Sequence, residues 1–309
     1  MRDLQSKRVL ITGGGNGLGR EIAREISRLG ALVIVTDRDL RAARQTASMI
    51  RREGGEARAY PMDVAQPESV AQVRMQIHSD IGPIDILVNN AGIVHGGAFV
   101  KVPLQRHLQT SRVNSDGPMI VTHTFLPDLI TRPEAHLVNI VSASAFIALP
   151  YGASYAASKW SILGFTESIR EELREEGYDH VKVTAMCPSY ITTGLFHGVS
   201  APWLIPFLTP SEVAQATINA VRHNRAQVLM PWLVKLVPFG RATQPRFLFR
   251  RLCEWLGVYR GMQGWRGHAD RMSPATTAGV DRTERDSFVP ANRISEHLQA
   301  KSRSADWEG

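Results

Sequence analysis

Short runs of β-branched and aliphatic residues alternate along the first two-thirds of the chain with longer stretches whose apolar positions recur every three or four residues. Val9-Leu10-Ile11 precedes a helical pattern from Glu21 to Leu29; Leu32-Val33-Ile34-Val35 precedes Leu40 to Arg52; Ala57 to Pro61 precedes Glu68 to Ile77; Ile86-Leu87-Val88 follows. Apolar runs of this length predict strands, and the 3.6-residue period predicts helices. Further strands are predicted at Leu137 to Val141, Val181 to Met186 and Gln227 to Met230, with helices at 104–116, 119–130, 154–176 and 211–222. Strand and helix in alternation predict βαβ units. The expected fold is therefore α/β: a Rossmann-type doubly wound parallel sheet of about seven strands with helices on both faces.

After Val221 the pattern changes. Pro231, Pro238 and Pro245 interrupt an apolar, basic stretch and forbid one long helix. Arg246 to Tyr259 still fits a shorter helix, with Leu248, Phe249, Leu252, Cys253, Trp255, Leu256 and Tyr259 on one face, opposite Arg250, Arg251 and Glu254. This divides the chain into a main domain at 1–240, a basic amphipathic extension at 241–271, and a polar tail at 272–309 that is expected to be disordered.

The formal charge of +7 is concentrated here: Arg222 to Arg271 holds ten Lys or Arg against Glu254 and Asp270. The apolar residues between these charges favour membrane headgroups over nucleic acid as an anionic neighbour, and a solvated basic helix face is the alternative. A peripheral membrane contact through this helix is thus one expectation; cover for a dimer groove is the other. Two cysteines, Cys187 and Cys253, and no metal-ligand spacing among the histidines argue against disulfides and zinc. The opening residues lack a secretory pattern, and no apolar run is long enough to span a bilayer. A cytoplasmic protein is expected.

The first predicted strand runs into Thr12-Gly13-Gly14-Gly15-Asn16-Gly17-Leu18-Gly19, with a helix beginning near Leu18. Glycines let backbone approach a pyrophosphate, whose charge a helix N-terminus stabilises. Asp37, at the end of the second strand, is placed to accept hydrogen bonds from an adenosine ribose and to repel a 2′-phosphate. NAD is favoured over NADP, although Arg38 beside it suits that phosphate, and Asp37 as a helix cap is the bland reading. Asp63-Val64 and Asn89-Asn90-Ala91-Gly92 follow the third and fourth strands, at the strand ends where such sheets bind ligands. Tyr155 and Lys159, at i and i+4, share a helix face, so the ammonium is expected to lower the phenol's pKa and make it a proton donor and acceptor.

In order, Thr12 to Gly19, Asn89 to Gly92, Asn114, Ser142, Tyr155-x-x-x-Lys159 and Pro188-x-x-x-x-Thr193 resemble the short-chain dehydrogenase/reductase family over about residues 6–225. The run Ala185-Met186-Cys187-Pro188 and the Trp/Phe/Arg-rich end look like the branch of retinol and hydroxysteroid dehydrogenases. The resemblance implies a nicotinamide cofactor, alcohol–carbonyl interconversion, and homodimers or homotetramers. It implies Tyr155 as general acid/base, Ser142 as hydrogen-bond donor to the substrate oxygen, Lys159 on the nicotinamide ribose, and Asn114 holding a relay water. Pro188 and Thr193 would meet the nicotinamide end, and Ser189, where the family often has glycine, is expected to restrict the backbone ahead of Thr193. Substrate contacts are expected from His95 to Phe99, Ala145 to Tyr151, and Leu195 to Leu208, including Phe196, Trp203, Ile205 and Phe207, with His95 and His197 as polar lining. Such an apolar lid suits a small lipophilic alcohol or ketone. An NADPH-dependent carbonyl reductase is the nearest alternative, and a cofactor-binding scaffold without turnover the more distant one.

Overall fold

The computed structural model describes residues 1–267; the expected tail at 272–309 lies outside the described residues. Seven parallel strands, β1 (Arg8–Thr12), β2 (Leu32–Asp37), β3 (Glu56–Pro61), β4 (Ile86–Asn89), β5 (Ala135–Ile140), β6 (Val181–Pro188) and β7 (Gln227–Met230), form one sheet in the order β3-β2-β1-β4-β5-β6-β7. In register, Leu10 lies between Ile34 of β2 and Leu87 of β4. Strand order reverses between β1 and β4, so their C-terminal ends diverge into the crevice where sheets of this kind take ligands.

Helices α1 (Gly17–Ser27), α2 (Leu40–Arg52) and α7 (Pro210–Arg222) cover one face. There Ile22 and Ile26 of α1 pack with Val213 and Ile218 of α7 over Val9 and Val33. The other face is covered by α3 (Pro67–Asp80), α5 (Gly117–Ile130) and α6 (Ala153–Glu175), with Val73, Ile77, Val121 and Phe125 over Leu10 and Leu87. Burial on both faces explains why these strands read as unbroken apolar runs.

The predicted helix at 104–116 is shorter than expected. α4 (Leu104–Ser111) gives way to a π turn at Arg112–Asp116 before α5 begins. Pro118 has no N–H to offer the carbonyl of Asn114 four residues back, so the ordinary α-helical ladder cannot continue there. Beyond β7, Pro238 sits within the first turn of α8 (Leu236–Thr243), where a missing N–H is harmless, and Pro245 precedes α9 (Arg246–Trp255). α9 ends earlier than predicted, because Gly257 turns left-handed with φ 76° and the chain continues as a 3₁₀ helix at Val258–Gly264.

Polar groups also join the layers. Asn89 Nδ2 donates to Asn139 Oδ1 and Thr122 Oγ1, each at 2.9 Å, and Asn139 Nδ2 donates to Thr166 Oγ1 at 2.8 Å. These bonds pin β4 and β5 to α5 and α6. On β5, His136 is fully buried, with Nε2 2.8 Å from Thr184 Oγ1 and no partner for Nδ1 among the described residues. Burial pushes its pKa down to about 3 from an ordinary 6.5.

The folded state therefore binds one proton fewer than the unfolded chain between those two values. Stability is complete above pH 6.5 and falls as pH drops toward about 3. The expected slope from this residue is up to about 1.4 kcal/mol per pH unit. Urea unfolding at a series of pH values should show it, and His136→Gln should flatten it.

Candidate active site

The glycine turn is assembled by close backbone approach. Gly13 has φ 62°, and a Cβ on Gly19 would lie 2.3 Å from the Gly13 carbonyl oxygen and 2.4 Å from Asn90 Nδ2. A larger residue at either position would displace the loop. Thr12 Oγ1 accepts from the backbone N–H groups of Asn90 and Ala91, both at 3.0 Å, while Asn90 Nδ2 donates to the Thr12 and Gly13 carbonyls at 2.9 and 3.1 Å. These two side chains therefore hold the crevice in shape by bonding its two walls together. α1 starts at Gly17 with no side-chain cap on its first turn, so its leading N–H groups and positive dipole end face the turn.

Asp37 accepts from Gly15 N through Oδ2 and from Asp39 N through Oδ1, both at 3.0 Å. The cap of α2 is Asp39, which accepts from Arg41 N and Ala42 N. Asp37 is thereby tied to the glycine turn, and Arg38 next to it is exposed. Arg20, which sequence reasoning missed, grips the same turn: Nε donates to the Gly15 carbonyl and Thr46 Oγ1 at 3.0 Å, and Nη2 donates to Asn16 Oδ1 at 3.0 Å. Asp63 turns Oδ1 back to Ala65 N at 3.0 Å, and Val64 packs where a Cβ on Gly117 would intrude. Past Pro188, the chain brings Thr193 against Gly17, 3.2 Å from the position a Cβ would take. Ser189 causes no strain, since its backbone has no positive φ.

Ser142, Tyr155, Lys159 and Asn114 are all buried. Ser142 Oγ accepts from Ser144 N at 3.1 Å in the turn after β5. Lys159 Nζ donates to the Ile140 carbonyl at 2.8 Å and lies 5.7 Å from the centre of the Tyr155 ring. In the π turn, Asn114 bonds Ile93 in both directions at 2.8 Å, and its Nδ2 also reaches Ser158 Oγ at 3.1 Å. A Cβ on Gly92 would lie 3.4 Å from Asn114 Oδ1 and 3.8 Å from Lys159 Nζ, which places all three at one wall.

The electrostatics correct one expectation. Burial pushes the Tyr155 phenol up to about 12, only partly offset by its hydrogen bond with Ser142. Burial also pushes the Lys159 ammonium down to about 8. Neighbouring charge on Lys159 was expected to acidify the phenol, but desolvation of both groups is the larger effect.

Ser142 and Tyr155 stand in the wall of a cavity of about 210 Å³ that is otherwise almost wholly apolar. Leu149, Phe196 and Ile205 line it as expected, whereas Trp203 is largely exposed and Phe207, partly exposed, packs against the Tyr190 ring at 6.0 Å. His95 and His197 are not polar lining: His95 Nδ1 is 3.0 Å from Thr110 Oγ1, and His197 is exposed. Tyr190, edge-on to Phe196 at 5.3 Å, and Ser144 line the cavity without having been anticipated. The C-terminal segment closes it through Leu233, Val237, Phe249, Cys253, Leu256 and Val258. Among the described residues no three His, Cys, Asp or Glu are grouped to hold a metal ion, and no helix is long and apolar enough to cross a membrane.

The model of the short chain dehydrogenase family matches residues 7–202. The chain is 32% identical over 260 residues to human epidermal retinol dehydrogenase 2, covering 83% of this chain and 84% of that protein. Human short-chain dehydrogenase/reductase 3 is 33% identical over 270 residues, covering 86% and 89%, and human 17-beta-hydroxysteroid dehydrogenase 13 is 28% identical over 228 residues, covering 74% and 76%. A Burkholderia phymatum short chain dehydrogenase/reductase, solved in complex with NAD, has the same fold, with a TM-score of 0.71 at 24% identity over 79% of this chain and 99% of that one. A glycine turn at a strand-order reversal, a buried Ser-Tyr-Lys set and these similarities make the chain a member of the short chain dehydrogenase family, an oxidoreductase near the branch of retinol and hydroxysteroid dehydrogenases.

Proposed function

We propose that this protein is an NAD-dependent oxidoreductase that interconverts a lipophilic alcohol, steroid-like, retinoid-like or long-chain, and its carbonyl by hydride transfer, with Tyr155 as general acid and base. The observation that carries this reading is that Ser142 and Tyr155 stand together in the wall of a cavity whose exposed lining is almost wholly apolar, Ser144, Ser189 and Tyr190 being its other hydroxyl-bearing residues. A polar pair in an apolar pocket fixes one oxygen of a ligand whose remainder is hydrophobic. The cavity also exceeds the roughly 150 Å³ that accommodates benzene in an apolar protein site. Similarity to proteins named for retinol and 17-beta-hydroxysteroids supports the same class.

The dinucleotide would be held by Thr12, Gly13, Gly15, Asn16, Gly17, Leu18 and Gly19 along its pyrophosphate side, with Asp37 at the adenosine ribose. Asp63 and Val64 would flank the adenine, Asn90, Ala91 and Gly92 the crevice wall, and Lys159, Pro188 and Thr193 the nicotinamide end. The close-packed glycines and the carboxylate at the end of β2 fit that group. When bound, the nicotinamide supplies the hydride acceptor for oxidation or the donor for reduction. In oxidation, Tyr155 Oη takes the alcohol proton while Ser142 Oγ orients the substrate oxygen. Lys159 adds a positive charge that stabilises the negative charge developing on the substrate oxygen, and Asn114 holds a water that carries the proton outward. Reduction runs through the same residues in reverse.

Exposed Arg38 beside Asp37 favours a second reading, an NADPH-dependent carbonyl reductase. A scaffold without turnover fits less well, since it gives no reason to bury a lysine and a tyrosine beside a serine. The protein is read as a homodimer or homotetramer in the cytoplasm, with peripheral membrane contact through the basic C-terminal helix.

Tyr155→Phe should lower kcat by about 10²-fold or more while leaving nucleotide affinity unchanged, as read by steady-state rates and fluorescence titration. For carbonyl reduction, kcat/KM should fall as pH rises through about 8, where Lys159 loses its charge; for alcohol oxidation it should gain from rising pH, because the base form of Tyr155 is the one required. NADH should bind more tightly than NADPH, and Asp37→Ser should narrow that gap. Tighter NADPH binding by the wild type would remove Asp37 from its role.

A further inference from the structure

The predicted apolar face of α9 is split by the fold. Cys253 is buried, and Phe249 and Leu256 are half-buried against the cavity, but Leu248, Leu252 and Trp255, at i, i+4 and i+7, face solvent as one stripe. Trp255, 66% exposed, packs edge-on at 5.5 Å against Trp203, which is 72% exposed. The Trp203 N–H donates to the Leu256 carbonyl at 3.1 Å, so the loop before α7 and the end of α9 form one surface. Leu236 and Phe239, three residues apart on α8, are also exposed. Leu204, Leu236 and Leu252 both face solvent and line the cavity, so its mouth lies within this apolar surface.

The surrounding charge is one-sided. From Trp232 to Arg260 the chain carries Lys235, Arg241, Arg246, Arg250, Arg251 and Arg260 against Glu254 alone. Arg250 pairs with Glu254 at 2.8 Å, and Arg241 lies over the Trp160 ring at 4.1 Å. Lys235, Arg246, Arg251 and Arg260 are exposed and make no salt bridge among the described residues.

We propose that this surface, built from the 203–207 loop, α8 and α9 together, docks on an anionic bilayer with the cavity mouth against the acyl region, so that substrate passes between membrane and Tyr155 without crossing water. The proposal rests on the reading of the cavity as the substrate site. Indole and leucine side chains are stabilised by leaving water for the interfacial and acyl layers, and unpaired cations are attracted to anionic headgroups. A second copy of this chain is a poorer occupant: a two-fold contact would set Lys235, Arg246 and Arg251 near their own counterparts in a desolvated interface.

The test is flotation of the full chain with phosphatidylcholine vesicles, with and without phosphatidylglycerol. The wild type should float with the anionic vesicles and release at high salt, and Leu248→Asp with Trp255→Asp should weaken binding about tenfold or more. The charge reversals Lys235→Glu and Arg251→Glu, which leave the apolar stripe intact, should abolish the preference for anionic vesicles even if the first variant folds poorly. In the stripe variant, kcat/KM should fall for a long-chain alcohol dissolved in the vesicles but not for a short water-soluble secondary alcohol. Flotation requires no turnover, so it succeeds or fails independently of the proposed chemistry. Undiminished flotation of both variants overturns the docking surface, as does a wild type that ignores vesicles and forms a dimer that Trp255→Asp splits.

Discussion

Lys159 reaches through the protein interior to donate a 2.8 Å hydrogen bond to the carbonyl of Ile140, and with the Asn139–Thr166 bond this holds helix α6 against β5. An ammonium in such a place loses its hydration, which is why its pKa is lowered to about 8. The same anchor sets Tyr155, one helical turn earlier, beside the turn that follows β5 and carries Ser142. A lysine that served only solubility would not be buried at this cost.

The two crevice walls are joined by other polar groups with equally definite partners. Thr12 and Asn90 satisfy each other's backbones across the β1–β4 divide, and Asn89, Asn139, Thr122 and Thr166 tie the strands to the helices beneath. Buried amides of this kind are tolerated because most of their donors and acceptors are paired, although Asn89 Oδ1 has no partner among the described residues. The glycine turn is held from three sides, by Asn90, Asp37 and Arg20. A rigid backbone cradle is the arrangement a pyrophosphate requires, since it offers N–H groups with little loss of freedom on binding.

The C-terminal segment completes the cavity. Its helices supply apolar wall on one side and leave an apolar, basic surface on the other. Cavity wall and exposed apolar surface are therefore two faces of the same short elements, α8 and α9.

The order of strands and helices was legible in the residues, because a short unbroken apolar run, a 3.6-residue period and a glycine-rich break are local properties of a chain. So were Gly13 to Gly19, Asp37, Ser142, Tyr155 and Lys159, whose residue types and spacings limit what they can do. Arg20, Tyr190 and Ser144 were not legible, since nothing in their local context distinguishes them from surface or core positions. The direction of the Tyr155 shift was also beyond the sequence: i and i+4 spacing reveals a nearby charge, but desolvation depends on everything packed around it. Local pattern likewise defined an apolar face on α9, while tertiary packing alone decided that Cys253 would be covered and Leu248, Leu252 and Trp255 left bare. Periodicity is set by neighbours along the chain, and burial by neighbours in space.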